Sequence, residues 1–327
     1  MLAPFEPVAV VGYESRGRLL IIGADERVRD AANVLSGKLS AAVFWTGSSA
    51  APALENVEMR RGEIESLEGY LGAFLLRWRS TAGAATETAE FDLVLDLQSQ
   101  PAFSMHQPPQ GYFAIPAIES ERFAATLAEL PDLVGEFEKP KFFNYKESLC
   151  AHSRSKKVGC TKCIDICSTR AISSDGDKVL VDPHLCMGCG ACATVCPSGA
   201  MNYQYPRVAD RGAQLRAVLG AYREQRPGAF PVPVVVFHNE TDGGKALESV
   251  GLPEHALAIP AWHVASIGLD VLLGAMAYGA GGVLIVSQGS EAPQYGEALR
   301  AEMQTGETLL HALGFAGAHF ALCSADD

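Results

Sequence analysis

Eight of the nine cysteines of this 327-residue chain fall between positions 150 and 196, and the last four of that group, Cys186, Cys189, Cys192 and Cys196, are spaced C-x2-C-x2-C-x3-C. No other feature restricts the fold so sharply. Thiols this close along a chain converge on one centre only if the backbone curls tightly, and Gly188, Gly190 and Ala191 leave room for that curl. Pro197 then turns the chain away after the fourth cysteine.

The spacing is the bacterial run for a [4Fe-4S] cluster, in which three thiolates on one loop reach three irons of a cube. In two-cluster proteins the fourth cysteine ligates the other cube, so Cys196 demands a second one. The stretch GCTKCIDICSTRAI, residues 159–172, supplies Cys160, Cys163 and Cys167 at the second, third and fourth positions of the same run. Its first position would fall at Lys157, which is no ligand, and the sole upstream candidate is Cys150. The motif then reads C-x9-C-x2-C-x3-C, with AHSRSKKVG standing where two residues are usual; a longer loop adds little closure entropy. The expected ligands are Cys150, Cys160, Cys163 and Cys196 for cluster I, and Cys167, Cys186, Cys189 and Cys192 for cluster II. Structural zinc does not need the x2, x2, x3, Pro run, and disulfides are disfavoured in a cytoplasmic chain.

On these motifs, residues 146–206 resemble a bacterial dicluster ferredoxin domain. GCTKCIDICSTRAI and MGCGACATVCPSGAM read as two copies of one unit, with SSDGD as the hairpin turn after the first. The resemblance implies a low-potential relay moving one electron at a time. One departure is Ser168, which stands where a proline normally follows the fourth cysteine and could hydrogen-bond a cluster sulfur. His152 and His184, each within two residues of a cysteine, are expected to be packing or surface residues, and Cys323 a small buried hydrophobe. Arg154, Lys156, Lys157, Lys162 and Arg170 against Asp165 give a local charge of 5 − 1 = +4, read as a solvated insertion with partner docking as the sharper alternative.

The flanks alternate strand-like and helix-like stretches. LLII, a helix-periodic stretch with Val28, Ala31, Ala32 and Leu35 on one face, and AVFW form a βαβ unit, and YLGAFLLRW and FDLVLDL add strands. VVVFH, ALAIPA, GVLIVS and AHFALC are strands separated by helical segments in the last hundred residues. The expected fold is α/β flanking domains, with Rossmann- or flavodoxin-like parallel sheets, around a small α+β dicluster ferredoxin domain. The boundaries are 1–140, 141–206 for the ferredoxin domain, 207–232 for a helix and linker, and 233–327 for a doubly wound C-terminal domain.

The C-terminal stretch LAIPAWHVASIGLDVLLGAMAYGAGGVLIVS is similar to the iron-sulfur (delta) subunit of methyl-viologen-type hydrogenases. Where that family would place further cysteines this chain has Ala261, Trp262 and His263, or Ser287 and Gln288, so no third cluster is implied. The domain order resembles iron-sulfur proteins found with formate dehydrogenases, some of which extend beyond a length such as this one. NETDGGK, residues 239–245, is a plausible phosphate turn but neither G-x-G-x-x-G nor a Walker A sequence, which leaves flavin or nucleotide binding as the alternative cofactor reading.

A formal charge of −12 argues against a general nucleic-acid binder. The N-terminus shows no export signal, so a cytoplasmic location is expected. The most membrane-like window, residues 265–286, holds Asp270 and several glycines and reads as a helix followed by a buried strand, so no membrane span is expected. No triad or acid–base pair is legible, and an electron carrier or oxidoreductase subunit is expected rather than a stand-alone enzyme. Its task would be to relay single electrons between a dehydrogenase, with formate dehydrogenase the named candidate, and another redox protein. The alternatives are a flavin- or nucleotide-binding oxidoreductase subunit and an assembly factor for a molybdenum or tungsten enzyme.

Overall fold

The computed structural model describes residues 5–55, 57–80, 85–116, 120–152, 159–226, 228, 231–241 and 243–324. By internal contacts the chain divides into two units, one of residues Val11–Lys139 and one of Met1–Val10 with Pro140–Asp327.

The first unit contains β1 (Val10–Ser15), β2 (Arg18–Gly23), α1 (Glu26–Leu35), β3 (Ser40–Trp45), β4 (Glu58–Glu68), β5 (Phe74–Ser80), β6 (Thr86–Phe91), β7 (Leu93–Asp96), β8 (Tyr112–Ala114), α2 (Ser120–Glu129) and β9 (Gly135–Pro140). Strands β2 to β8 make a seven-stranded sheet in the order β6-β5-β4-β3-β2-β7-β8. Leu19 and Ile21 of β2 face one core with Val28, Ala32 and Leu35 of α1, whereas Leu20 and Ile22 face a second core with Phe44, Phe74 and Trp78. Both faces of β2 are therefore buried, which is why its sequence is a continuous apolar run.

This sheet is mixed, which amends the parallel reading of the N-terminal flank. β2 pairs parallel with β3 and β7, but β4-β5 and β5-β6 are antiparallel. In β4 polar residues alternate with half-buried ones, the pattern of a strand with one wet face, and such strands can be joined by short hairpins.

The second unit continues with β10 (Phe143–Tyr145), α3 (Lys162–Ile166), β11 (Ile172–Asp175), β12 (Lys178–Val181), α4 (Ala191–Thr194), β13 (Met201–Tyr203) and α5 (Val208–Gln225). After these come β14 (Val234–Asn239), α6 (Gly243–Val250), β15 (Ala256–Ala261), α7 (Leu269–Ala277), β16 (Gly282–Ser287), α8 (Pro293–Ala312) and β17 (Phe320–Ser324). The last four strands form a parallel sheet in the order β15-β14-β16-β17. Leu215 and Leu219 of α5, Leu272 and Ala275 of α7 and Leu299 and Met303 of α8 close a core with Val235, Phe237 and Ile285.

The membrane-like window resolves into a 3-10 turn at Val264–Ser266, α7 and β16; among the described residues no helix is long and apolar enough to cross a membrane. Cys323 is half-buried on β17 rather than fully buried, because its strand is the last in the sheet.

Candidate metal centre

Each cysteine-bearing segment is short, and hydrogen bonds rather than long elements fix it. Cys150 follows a 3-10 turn whose Glu147 carbonyl accepts its N–H at 3.0 Å. Cys163 lies within α3 and Cys167 ends it. Opposite them β11 and β12 form a hairpin, and β10 pairs antiparallel with β13. Cys192 lies within α4, a helix of one turn, with Cys189 before it and Cys196 after it.

The CMGCG loop is held from both sides. Gly188 and Gly190 have φ of +82° and +78°, and a Cβ would meet the Phe142 ring at 2.6 Å in the first case and the Ser266 Cβ at 2.5 Å in the second. Only glycine combines that backbone with that closeness. The Tyr203 hydroxyl donates to the Gly188 carbonyl at 2.8 Å, and the Trp262 indole N–H donates to the Met187 carbonyl at 3.3 Å. Trp262 also packs with Phe142 and Tyr205, ring centroids 5.2 and 5.7 Å away.

The structure gathers the cysteines around two small cores: Cys163, Cys167, Cys186, Cys192 and Cys196 pack against Phe143, Ile172, Val179 and Met201, and Cys189 and Cys192 against Ile166, Ala191 and Ala265. Burial pushes the Cys163 thiol up to about 11, and the sulfurs that add to the shift are those of Cys196, Cys160 and Cys150. Burial also raises Cys192 well above the ordinary thiol range, followed by Cys189, Cys186, Cys167 and, last, Cys163. Cys196 differs: burial raises it, but hydrogen bonds from the Met201 N–H and from Ser198 and Ala200 outweigh that and leave it lowered. Among the described residues no cysteine is in a disulfide. Burial and the nearness of other sulfurs both disfavour the thiolate form here, and the positive charge of an iron centre would favour it. The donor set, the glycine-lined curl and the N–H groups aimed at sulfur fit two four-thiolate clusters.

Two residues do more than their sequence suggested. His152 is buried, its N–H donates to the Cys150 sulfur at 3.4 Å, and its ring nitrogens lie 2.9 Å from the Cys160 carbonyl and 2.8 Å from the Ser174 hydroxyl. The Cys160 N–H bonds the Ala151 carbonyl at 3.2 Å, so both ends of the insertion are tied at its base. The Ser168 hydroxyl bonds the Tyr295 hydroxyl of α8, which in turn hydrogen-bonds Cys189. Burial followed by the charge of Cys189 raises the Tyr295 phenol far above its usual range, so it stays protonated. His184 is a partly exposed turn residue whose N–H donates to Asp182.

Ile166, Ala191, Ala265, Ala292 and Tyr295 form a small core with Cys189 and Cys192, so α8 and the turn after β15 contribute walls around these two cysteines. The Thr194 hydroxyl adds a bond to the Ala265 carbonyl at 2.7 Å. On the other side Cys196 lines an open cleft of about 480 Å³ with Lys162, Thr194, Ser266, Asp270 and Glu302. Of the basic insertion, Arg154, Lys156 and Lys157 lie outside the described residues, while Lys162 and Arg170 lie within them. Asp242 of the NETDGGK turn is also outside; at Gly243 an added Cβ would meet His238 at 2.8 Å.

Residues 158–200 match the family described as 4Fe-4S dicluster domain. An uncharacterized ferredoxin of Methanocaldococcus jannaschii is 37% identical over 54 residues, which is 16% of this chain and 87% of that protein. Hydrogenase-4 component A of Escherichia coli is 38% identical over 52 residues, 16% of this chain and 25% of its own length. Indolepyruvate oxidoreductase subunit IorA of Archaeoglobus fulgidus is 40% identical over 42 residues, 13% of this chain and 7% of its own. The chain thus spans a quarter or less of these two larger curated relatives. Through its cysteine-rich segment this chain belongs to the ferredoxins of the 4Fe-4S dicluster family, and two [4Fe-4S] clusters are its cofactors.

Proposed function

We propose that this protein relays single electrons through its two clusters between a dehydrogenase, formate dehydrogenase being the first candidate, and a second redox protein in the cytoplasm. The ligand sets we propose are Cys150, Cys160, Cys163 and Cys196 for cluster I and Cys167, Cys186, Cys189 and Cys192 for cluster II. The observation that supports the reading is the closeness of the sulfurs: Cys196, Cys160 and Cys150 act on Cys163, and Cys167 acts on Cys189. In this proposal each motif sends its fourth cysteine to the other group. The hydrogenase and oxidoreductase subunits among the relatives support a redox partner. In the same proposal the C-terminal parallel sheet is a hydrogenase-delta-like domain that serves as scaffold and docking body rather than as a further cofactor site.

When bound, each cluster takes up and returns one electron without changing its ligands. The chain's own residues set the conditions. The Met201 and His152 N–H groups donate to the Cys196 and Cys150 sulfurs, each at 3.4 Å, and favour the more negative state of the site they face. Tyr295 and the Ala191–Ala265 core shield the second set from water, whereas Cys196 opens on the cleft.

Anaerobic purification should yield about eight irons and eight sulfides per chain without flavin. Cys150→Ser should erase the electron paramagnetic resonance signal of one cluster and spare the other; two intact signals would remove Cys150 from the ligands. Capture of reduced protein from an oxygen-free lysate should recover a dehydrogenase, and failure of the reduced clusters to reoxidise would turn the reading towards a structural or assembly role.

A further inference from the structure

We propose that Glu307, His311 and His319 form a second kind of metal site, for a single divalent cation of the zinc type, at the α8–β17 corner. Glu307 and His311 are four residues apart on α8 and so share one face, and His319 is the residue before β17. The Glu307 Oε1 accepts the Phe320 N–H at 2.8 Å and the His319 N–H at 2.5 Å, which fixes the carboxylate plane. Its other oxygen is left facing both imidazoles, 2.9 Å from His319 Nδ1 and 3.8 Å from His311 Nε2. The three donor atoms lie within 4.8 Å of one another.

Zinc bonds of ~2.0–2.2 Å at tetrahedral angles put neighbouring ligand atoms ~3.3–3.5 Å apart, so small side-chain shifts convert the observed 2.9 and 3.8 Å into a coordination set. Two imidazoles and a carboxylate favour zinc or a neighbouring late transition ion over magnesium or calcium, which take mostly oxygen ligands. The hydrogen-bonded carboxylate is already oriented, as metal-ligating carboxylates commonly are. His311 Nε2 now donates to the Gly317 carbonyl at 2.8 Å; coordination replaces that bond, the neutral ring keeping its one proton by exchange through solvent from Nε2 to Nδ1. The His311 ring is 53% exposed, so water can fill the fourth position. The cation would staple the last turn of α8 to β17 across the turn that holds Gly314 and Gly317.

The competing reading is a metal-free hydrogen-bond tie among the same groups, and zinc titration separates the two. Cluster-loaded protein, cleared of loose metal with a chelator, would be titrated with zinc chloride by calorimetry while iron and sulfide are monitored. One zinc per chain should bind without loss of iron and should raise the melting temperature. His311→Ala, at an exposed ring, and separately His319→Gln should each weaken binding at least tenfold and remove the thermal shift. No zinc binding by the wild type, or equal binding by wild type and His311→Ala, overturns the proposal.

Discussion

The Tyr295 hydroxyl lies between the Ser168 hydroxyl and the Cys189 sulfur, with its O–H available to the sulfur and its oxygen to the serine. A donor to a ligand sulfur stabilises the more negative, reduced state of the site, so Tyr295→Phe should lower the potential of cluster II by on the order of 50 mV and leave cluster I unchanged. A redox titration followed by electron paramagnetic resonance checks this. Gly190→Ala should destabilise the protein by about 3 kcal/mol, since it combines a left-handed backbone with overpacking against Ser266, and should deplete iron at cluster II. Denaturant unfolding with iron analysis reads both effects. His263 is held down to about 4 by burial while its Nδ1 accepts the Ala265 N–H. The unfolded chain therefore binds a proton that the folded chain refuses between pH 6.5 and 4. Stability falls as pH drops through that window, and His263→Asn, which keeps an acceptor for Ala265, should make the fall shallower. The cysteines were readable from spacing alone. The tasks of His152 and Tyr295 were not, because their partners, Ser174 and Ser168, are 22 and 127 positions away in sequence.

The elements legible in the sequence are those buried on both faces or on one helical stripe, such as β2 with its RLLIIG and α1 with Val28, Ala31, Ala32 and Leu35 inside. β4 escaped notice because EMRRGEIESLE carries charges on its wet face and a glycine with a register shift nearby, and it pairs through neighbours rather than through its own hydrophobicity. The helix read at the start of residues 265–286 holds for α7, but Gly268 adopts an extended backbone and separates off a 3-10 turn. The insertion after Cys150 shows the same dependence on closure. Its base is fastened by the Cys160 N–H to Ala151 and by His152, whatever the length between. Replacing residues 153–158 by a short glycine-serine link should therefore preserve both clusters, as iron content and spectra will show. If those lysines steer a partner, the same variant should lose the salt dependence of electron transfer from that partner.

At the scale of the molecule, Pro140–Asp327 falls, with Met1–Val10, in one unit, and its C-terminal part supplies walls to Cys189, Cys192 and the CMGCG loop: Tyr295 from α8, Ala265 and Ser266 from the turn after β15, and Trp262 over the Met187 carbonyl. A chain truncated after residue 206 should still assemble cluster I but yield the iron of cluster II to a chelator several-fold faster, measured as the rate of coloured iron complex formed. The truncation removes one of the three tryptophans. Trp45 and Trp78 are buried, with 5% and 3% of their surface exposed, while Trp262 is 40% exposed beside the CMGCG loop. Buried and exposed indoles emit at different wavelengths, so Trp262 is an optical reporter on the cofactor's doorstep. Its red-shifted fluorescence should be dark in the loaded protein, since iron–sulfur chromophores absorb where indole emits, and should brighten as cluster II is lost, giving a real-time meter of cofactor occupancy without any added dye.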